Sequence, residues 1–201
     1  MFTGIVQGVA PVTAIDKKVG LNTHTLTFPQ AWLEGLEIGA SVAHNGCCLT
    51  VTHIEGQQVQ FDLMAETLDK TNLGQLSLGE DVNIERAARF GDEIGGHVMS
   101  GHIMTQVALL DKVLSDNNCT LWFELPKAYQ AYVLEKGFIG LNGCSLTVGK
   151  VEENQFSVHL IPETLSRTLF GRIEIGDKVN LEIDSQTQAI VDTVQRVLAA
   201  K

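Results

Sequence analysis

The chain has 201 residues, of which 44% are hydrophobic and 19% charged, and its formal net charge is -10. Without a cationic footprint to displace counterions, nucleic acid and anionic membrane surfaces are excluded as main partners, and a small molecule is favoured. No long apolar run and no basic-then-apolar leader after Met1 occur, so a cytoplasmic protein with no membrane span and no signal peptide is expected.

From the N-terminus, residues 1–85 read as short strands. Val59, Phe61 and Leu63 face one way in one strand and Val82 and Ile84 in a later one, the period-two pattern of a half-buried sheet. Gly and Asn break these strands roughly every eight to twelve residues, which predicts a small closed antiparallel barrel. Closure removes the edges along which strands aggregate. Residues 29–36 begin on a proline suited to a first helical turn, so a short helix is expected there, and Glu66-Thr67-Leu68 opens another single turn. Residues 87–100 contain Gly91, Gly95 and Gly96 and lose the periodicity, marking a connection.

Beyond the connection the chain starts again. Asn45-Gly46-Cys47-Cys48-Leu49-Thr50-Val51 returns as Asn142-Gly143-Cys144-Ser145-Leu146-Thr147-Val148, a shift of 97 residues with one substitution. Sliding residues 45–85 by that shift pairs 18 identities in 41 positions, where unrelated sequences give roughly two or three. Phe156, Val158 and Leu160 repeat one strand, Val179, Leu181 and Ile183 another, and residues 126–134 repeat the short helix. Met99 aligns with Phe2. The domains expected are therefore 1–97 and 98–184, each large enough to bury its own core.

Residues 185–201 fall outside the repeat and carry good helix formers, with Ile190, Val194, Val197 and Leu198 on one stripe. Such a helix either lies on its own barrels or packs against copies of itself, and the spacing favours an oligomer.

In a duplicated binding fold, matching positions serve the fold and a shared ligand, whereas polar positions that differ are candidates for reaction. Cys48 faces Ser145, Asp62 faces His159, Ile5 faces His102, Ala87 faces Asp184 and Ser41 faces Phe138. The doubled motif places a turn before a strand, and its amides could hold a planar heterocycle. Alternatively Asn-Gly makes only a hairpin turn, and the matched Cys47 and Cys144 are small buried hydrophobes, the reading favoured for those two. Cys48 is favoured as a nucleophile or proton donor. His102 is either a structural group or, with Ser145, Thr147 and Asp184, part of a proton-transfer site that needs no metal.

Metal has little support, since the four cysteines have no C-x-x-C spacing and the six histidines no H-x-x-x-H pair. Reduced thiols are expected, and His97 reads as part of the connection. No dinucleotide or P-loop fingerprint is present.

Met1-Phe2-Thr3-Gly4-Ile5-Val6, the doubled motif, Phe61-Asp62-Leu63-Met64-Ala65-Glu66-Thr67, Gly95-Gly96-His97 through Ser100-Gly101-His102-Ile103, and Ile161-Pro162-Glu163-Thr164-Leu165 together resemble the riboflavin synthase family of lumazine-binding repeat proteins. The likeness covers nearly the whole chain. It implies an all-β fold of two tandem six-stranded Greek-key β-barrels plus a C-terminal α-helix through which three subunits associate. It also implies one 6,7-dimethyl-8-ribityllumazine per barrel, with the active site where the first barrel of one subunit meets the second barrel of its neighbour. The reaction implied is a cofactor-independent dismutation that gives riboflavin.

By the same resemblance the first half-site is Gly4, Ile5, Val6, Cys48, Leu49, Thr50, Asp62, Leu63, Met64, Ala65, Glu66 and Thr67. The second is Gly101, His102, Ile103, Lys136, Ser145, Leu146, Thr147, His159, Leu160, Ile161, Pro162, Glu163 and Thr164. Cys48, His102, Ser145, Thr147, Asp184 and Phe2 match positions important to activity. A non-catalytic lumazine or flavin carrier is the alternative, because relatives of that kind keep both barrels.

Overall fold

The period-two pattern closes two sheets. The computed structural model describes residues 1–115 and 118–200; Asp116, Asn117 and Lys201, which fall within the expected second domain and tail, lie outside the described residues. The first barrel comprises β1 (Gly8–Lys18), β2 (Leu21–Thr27), β3 (Ser41–His44), β4 (Cys47–Glu55), β5 (Gln58–Met64) and β6 (Asp81–Arg86). The second comprises β7 (Thr105–Ser115), β8 (Asn118–Glu124), β9 (Phe138–Leu141), β10 (Cys144–Glu152), β11 (Gln155–Leu160) and β12 (Lys178–Ile183). The closed order β1-β2-β5-β4-β3-β6 recurs as β7-β8-β11-β10-β9-β12, so both are Greek keys.

Closure depends on a bend in the longest strand of each barrel. The register of β1 shifts between Val12 and Ala14, and that of β7 between Leu109 and Asp111. This bulge lets one strand pair with β6 or β12 at its start and with β2 or β8 further on.

Among the described residues four α-helices accompany the strands: α1 (Gln30–Leu33), α2 (Ala65–Lys70), α3 (Pro162–Arg167) and, after the last strand, α4 (Ser185–Ala199). The helix expected at 29–36 stops after a single turn. The Arg86 guanidinium takes the carbonyls of Trp32, Glu34 and Gly35 at 3.1, 2.8 and 3.0 Å, groups that a longer helix would leave to later amides. Its copy at 126–134 winds as a 3-10 helix over Lys127–Tyr132.

The two cores hold the same positions with different chemistry. Val59, Phe61 and Leu63 are fully buried in the first and Phe156, Val158 and Leu160 buried in the second. The first core, however, includes His24 and His44, where the second has Leu121 and Leu141. His44 packs edge-on to Phe61 with ring centroids 4.2 Å apart. Burial lowers its pKa to about 3, so it is neutral in the folded protein.

The barrels meet through the two Asn-Gly turns. Asn45 (φ 46°) and Gly46 (φ 82°) close the β3–β4 hairpin, and Asn142 (φ 43°) and Gly143 (φ 82°) close β9–β10. The turns press together so closely that a Cβ on Gly46 would lie 2.7 Å from the Gly143 amide nitrogen. Asn83 Nδ2 donates to the Asn142 carbonyl at 2.8 Å, and Asn180 Nδ2 donates to the Asn45 carbonyl at 2.9 Å. The motif's turn is thus a buried joint between barrels, and only the strand after it is free to meet a ligand.

The terminal helix does not bury its stripe on its own barrels. Asp184 caps α4 by accepting from the Thr187 amide at 2.9 Å, and the Tyr132 hydroxyl donates to Asp192 at 2.5 Å. Ile190, Val194, Val197 and Leu198 remain at least half exposed. No helix among the described residues is long and apolar enough to cross a membrane.

Candidate active site

The site residues come together by crossing over between repeats. Phe2 and Met99 pair as an antiparallel bridge, each amide donating to the other's carbonyl at 2.8 and 2.9 Å. The segment after Phe2 then runs onto the second barrel, and the segment after Met99 onto the first. The Ser145 amide donates to the Gly4 carbonyl at 2.9 Å, and Val6 joins the second barrel's core. The Cys48 amide donates to the Gly101 carbonyl at 2.9 Å, and Ile103 packs on the first barrel's core. The grouping expected from chain order is corrected accordingly. Within one chain Gly4, Ile5 and Val6 stand with Ser145, and Gly101, His102 and Ile103 with Cys48.

Both crossings demand glycine. Gly4 (φ 74°) and Gly101 (φ 81°) lie in the left-handed region, and a Cβ there would come within 2.4 Å of the Ser145 Cβ or 2.5 Å of the Cys48 Cβ. A buried carboxylate holds each segment from the other side. Glu85 accepts from the Thr3 amide (2.7 Å), the Thr3 hydroxyl (2.8 Å) and the Gly4 amide (3.0 Å). Glu182 accepts from the Ser100 amide (2.7 Å), the Ser100 hydroxyl (2.9 Å) and the Gly101 amide (3.1 Å). Burial raises the pKa of both carboxyls, against the pull of these donors.

Ser145, half-buried at the start of β10, has a neighbour that the chain's pattern concealed. The Nδ1 of His97 lies 2.6 Å from Ser145 Oγ, and its ring stacks on Phe138 at 5.0 Å. Burial lowers the His97 pKa, while the nearby Asp184 carboxylate opposes that shift. Asp184 itself is held below its ordinary value: burial would raise it, but the Thr187 hydroxyl, two helix amides and His97 outweigh burial. The histidine grouped with Ser145 and Asp184 is therefore His97. His102 is exposed beyond Gly101, near enough to Glu182 to oppose the rise of its pKa.

Opposite stands Cys48, half-buried, with Phe2, Ala43 and Met99 packed beside it. Burial pushes the Cys47 thiol up to about 12 and the Cys144 thiol up as well, which leaves both poor nucleophiles. Leu49 and Leu146 point into the cores, whereas Thr50 and Thr147 are exposed at matching positions. At the strand ends Asp62 accepts from Thr23 at 2.7 Å and His159 bonds Thr120 at 3.0 Å, both on exposed surface. Leu63 and Leu160 are buried, while Met64, Ala65, Glu66, Ile161, Pro162 and Glu163 are exposed and Thr67 and Thr164 half-buried at the turns of α2 and α3. Glu66 and Glu163 are engaged by Lys70 and Arg167 one helical turn on. Lys136 holds φ 65° where the first repeat has Gly39, a strained backbone kept in place by the hydrogen bond its amide donates to the Val148 carbonyl at 2.9 Å.

Two like half-sites on twin barrels, built on matching backbone and differing side chains, define a tandem double-barrel protein. The lumazine binding domain model matches residues 3–87 and 100–184. The chain is 59% identical to riboflavin synthase of Escherichia coli (strain K12), over 100% of this chain and 95% of that one. It is 40% identical to riboflavin synthase of Chlamydia pneumoniae, over 100% and 98%. Among solved structures, LumP complexed with riboflavin superposes with a TM-score of 0.86 at 29% identity, covering 92% of this chain and 100% of that one. LumP complexed with 6,7-dimethyl-8-(1'-D-ribityl) lumazine gives 0.83 at 28%, with the same coverage. The chain belongs to the lumazine binding domain family, in the group of the riboflavin synthases.

Proposed function

We propose that the chain is a riboflavin synthase that takes two molecules of 6,7-dimethyl-8-ribityllumazine, moves a four-carbon unit from one to the other, and releases riboflavin and 5-amino-6-(D-ribitylamino)uracil. The observation that carries this reading is the unequal pair of half-sites. A dismutation needs one compound bound twice and treated differently, and twin barrels bearing Cys48 in one and Ser145, His97 and Asp184 in the other meet that need. The mechanism rests chiefly on holding two rings in reacting orientation, which can supply several kcal/mol without any cofactor.

Residues 1–97 and 98–184 are the two lumazine-binding units and 185–201 the associating tail, in a cytoplasmic homotrimer. The stripe on α4, uncovered in a single chain, supports association, as do the exposed Ile5, Met64, Phe138 and Ile161 around the pockets. Cys48, His102, Ser145, Thr147 and Asp184 serve proton transfer and nucleophile addition, and Phe2 positions by packing. The 59% identity to a synthase, against 29% to LumP, disfavours a carrier that binds without converting. The test is to incubate the protein with the lumazine and follow riboflavin absorbance. One riboflavin should form per two lumazines consumed; folded, ligand-saturated protein that forms none would overturn the proposal.

A further inference from the structure

His97 is the residue around Ser145 that duplication does not account for. It lies in the connection between the two matched units, residues 3–87 and 100–184, and so belongs to neither. It is only 7% exposed, and its ring lies within 15° of parallel over Phe138, with Nδ1 2.6 Å from Ser145 Oγ. Its other nitrogen, Nε2, is buried without a hydrogen-bond partner among the described residues. An unpaired buried nitrogen is costly and calls for an explanation. Gly96 closes the same corner, where a Cβ would lie 2.8 Å from Ser145 Oγ. Asp184, whose first-repeat counterpart is Ala87, supplies a negative charge nearby.

We propose that His97 is the proton acceptor behind Ser145. This rests on the dismutation proposed above. The Ser145 hydroxyl donates to the neutral Nδ1. When a methyl C–H of the lumazine in the second barrel breaks, its electron pair enters the ring system and its proton goes to Ser145 Oγ. The hydroxyl's own proton passes to Nδ1, and Asp184 balances the imidazolium. Return of the proton follows the same path backwards. His97 acts through Ser145 and is therefore a positioning residue, and among the described residues no histidine bonds Cys48 in the same way. The lumazine bound to the second barrel is thus the one that loses its proton.

The test uses the full chain with His97→Gln, whose amide can hold the serine but cannot take its proton. Turnover should fall about 100-fold, lumazine affinity by fluorescence should stay within about twofold, and the wild type's loss of rate on acidification should disappear. His97→Gln combined with Ser145→Ala should be no slower than Ser145→Ala alone. An undiminished rate, rate and affinity falling together, or additive losses would overturn the assignment. Should the variant fail to fold, the wild type's histidine nitrogen shifts decide: an unprotonated, accepting Nδ1 supports the relay, and an Nδ1–H contradicts it. A wild type that forms no riboflavin would remove the reaction and this inference with it, whereas wild-type turnover matched by His97→Gln would remove the inference alone.

Discussion

The two barrels agree in strand order, in bulge position and in the turn that joins them, yet they diverge wherever the backbone ladder leaves a side chain free. Phe61 and Leu63 have apolar counterparts, while His24 and His44 stand where the second barrel has Leu121 and Leu141. Around the pockets the divergence is chemical: Cys48 against Ser145, Ala87 against Asp184, Gly39 against Lys136. Main-chain hydrogen bonds carry the fold twice over, so the side chains of each copy could specialise without losing it.

The strongest way to break the equivalence is at the joint. Gly46→Ala forces a Cβ into a left-handed residue (φ 82°) and within 2.7 Å of the Gly143 amide. It should lower unfolding free energy by about 3 kcal/mol in denaturant titration, and Gly143→Ala by a similar amount. Gly56→Ala, also at positive φ (59°) but in open space, should cost only about 1 kcal/mol. Equal losses at Gly46 and Gly56 would mean that the turns do not hold the barrels together.

A smaller difference concerns acid. The folded pKa of His44 is lowered to about 3, and that of His24 is lowered too, in both cases chiefly by burial. As pH falls below the ordinary value of 6.5 the unfolded chain takes up protons that the folded core refuses. The stability these groups contribute is therefore complete above that pH and is lost on the way down, by about 1.4 kcal/mol per pH unit for each histidine. Trp32 and Trp122 mark the first and second barrels, and the chain has no other tryptophan. In Trp122→Phe the remaining Trp32 should report acid unfolding at higher pH than Trp122 reports in Trp32→Phe, and His44→Leu should narrow the gap. Coincident transitions unmoved by His44→Leu would show that the two cores respond alike.

Much of this was legible in the chain because it is local. Alternation at Val59, Phe61 and Leu63 sets which face is buried, and one repeated heptapeptide betrays the duplication. The crossing of Gly4 and Gly101 was not legible, since it joins residues far apart in sequence and chain order suggests the opposite grouping. Comparing the copies for differences also hid Glu85, Glu182 and the joint asparagines, which match and yet clamp the site. His97 escaped because it lies in the connection, outside the stretches that align; its place beside Gly95 and Gly96, in a glycine run that lets backbone approach Ser145, was the available signal.

The proposed homotrimer would build each site from the first barrel of one chain and the second barrel of its neighbour, and subunit mixing tests this most directly. Thr50→Trp should block the first pocket and Thr147→Trp the second, both at exposed positions that leave the cores intact. Each variant alone should be inactive. Refolded together they should regain about a quarter of wild-type turnover, since random assortment pairs two open pockets in one site of four. A mixture as inactive as its parts would place both pockets of a working site on one chain and contradict the account.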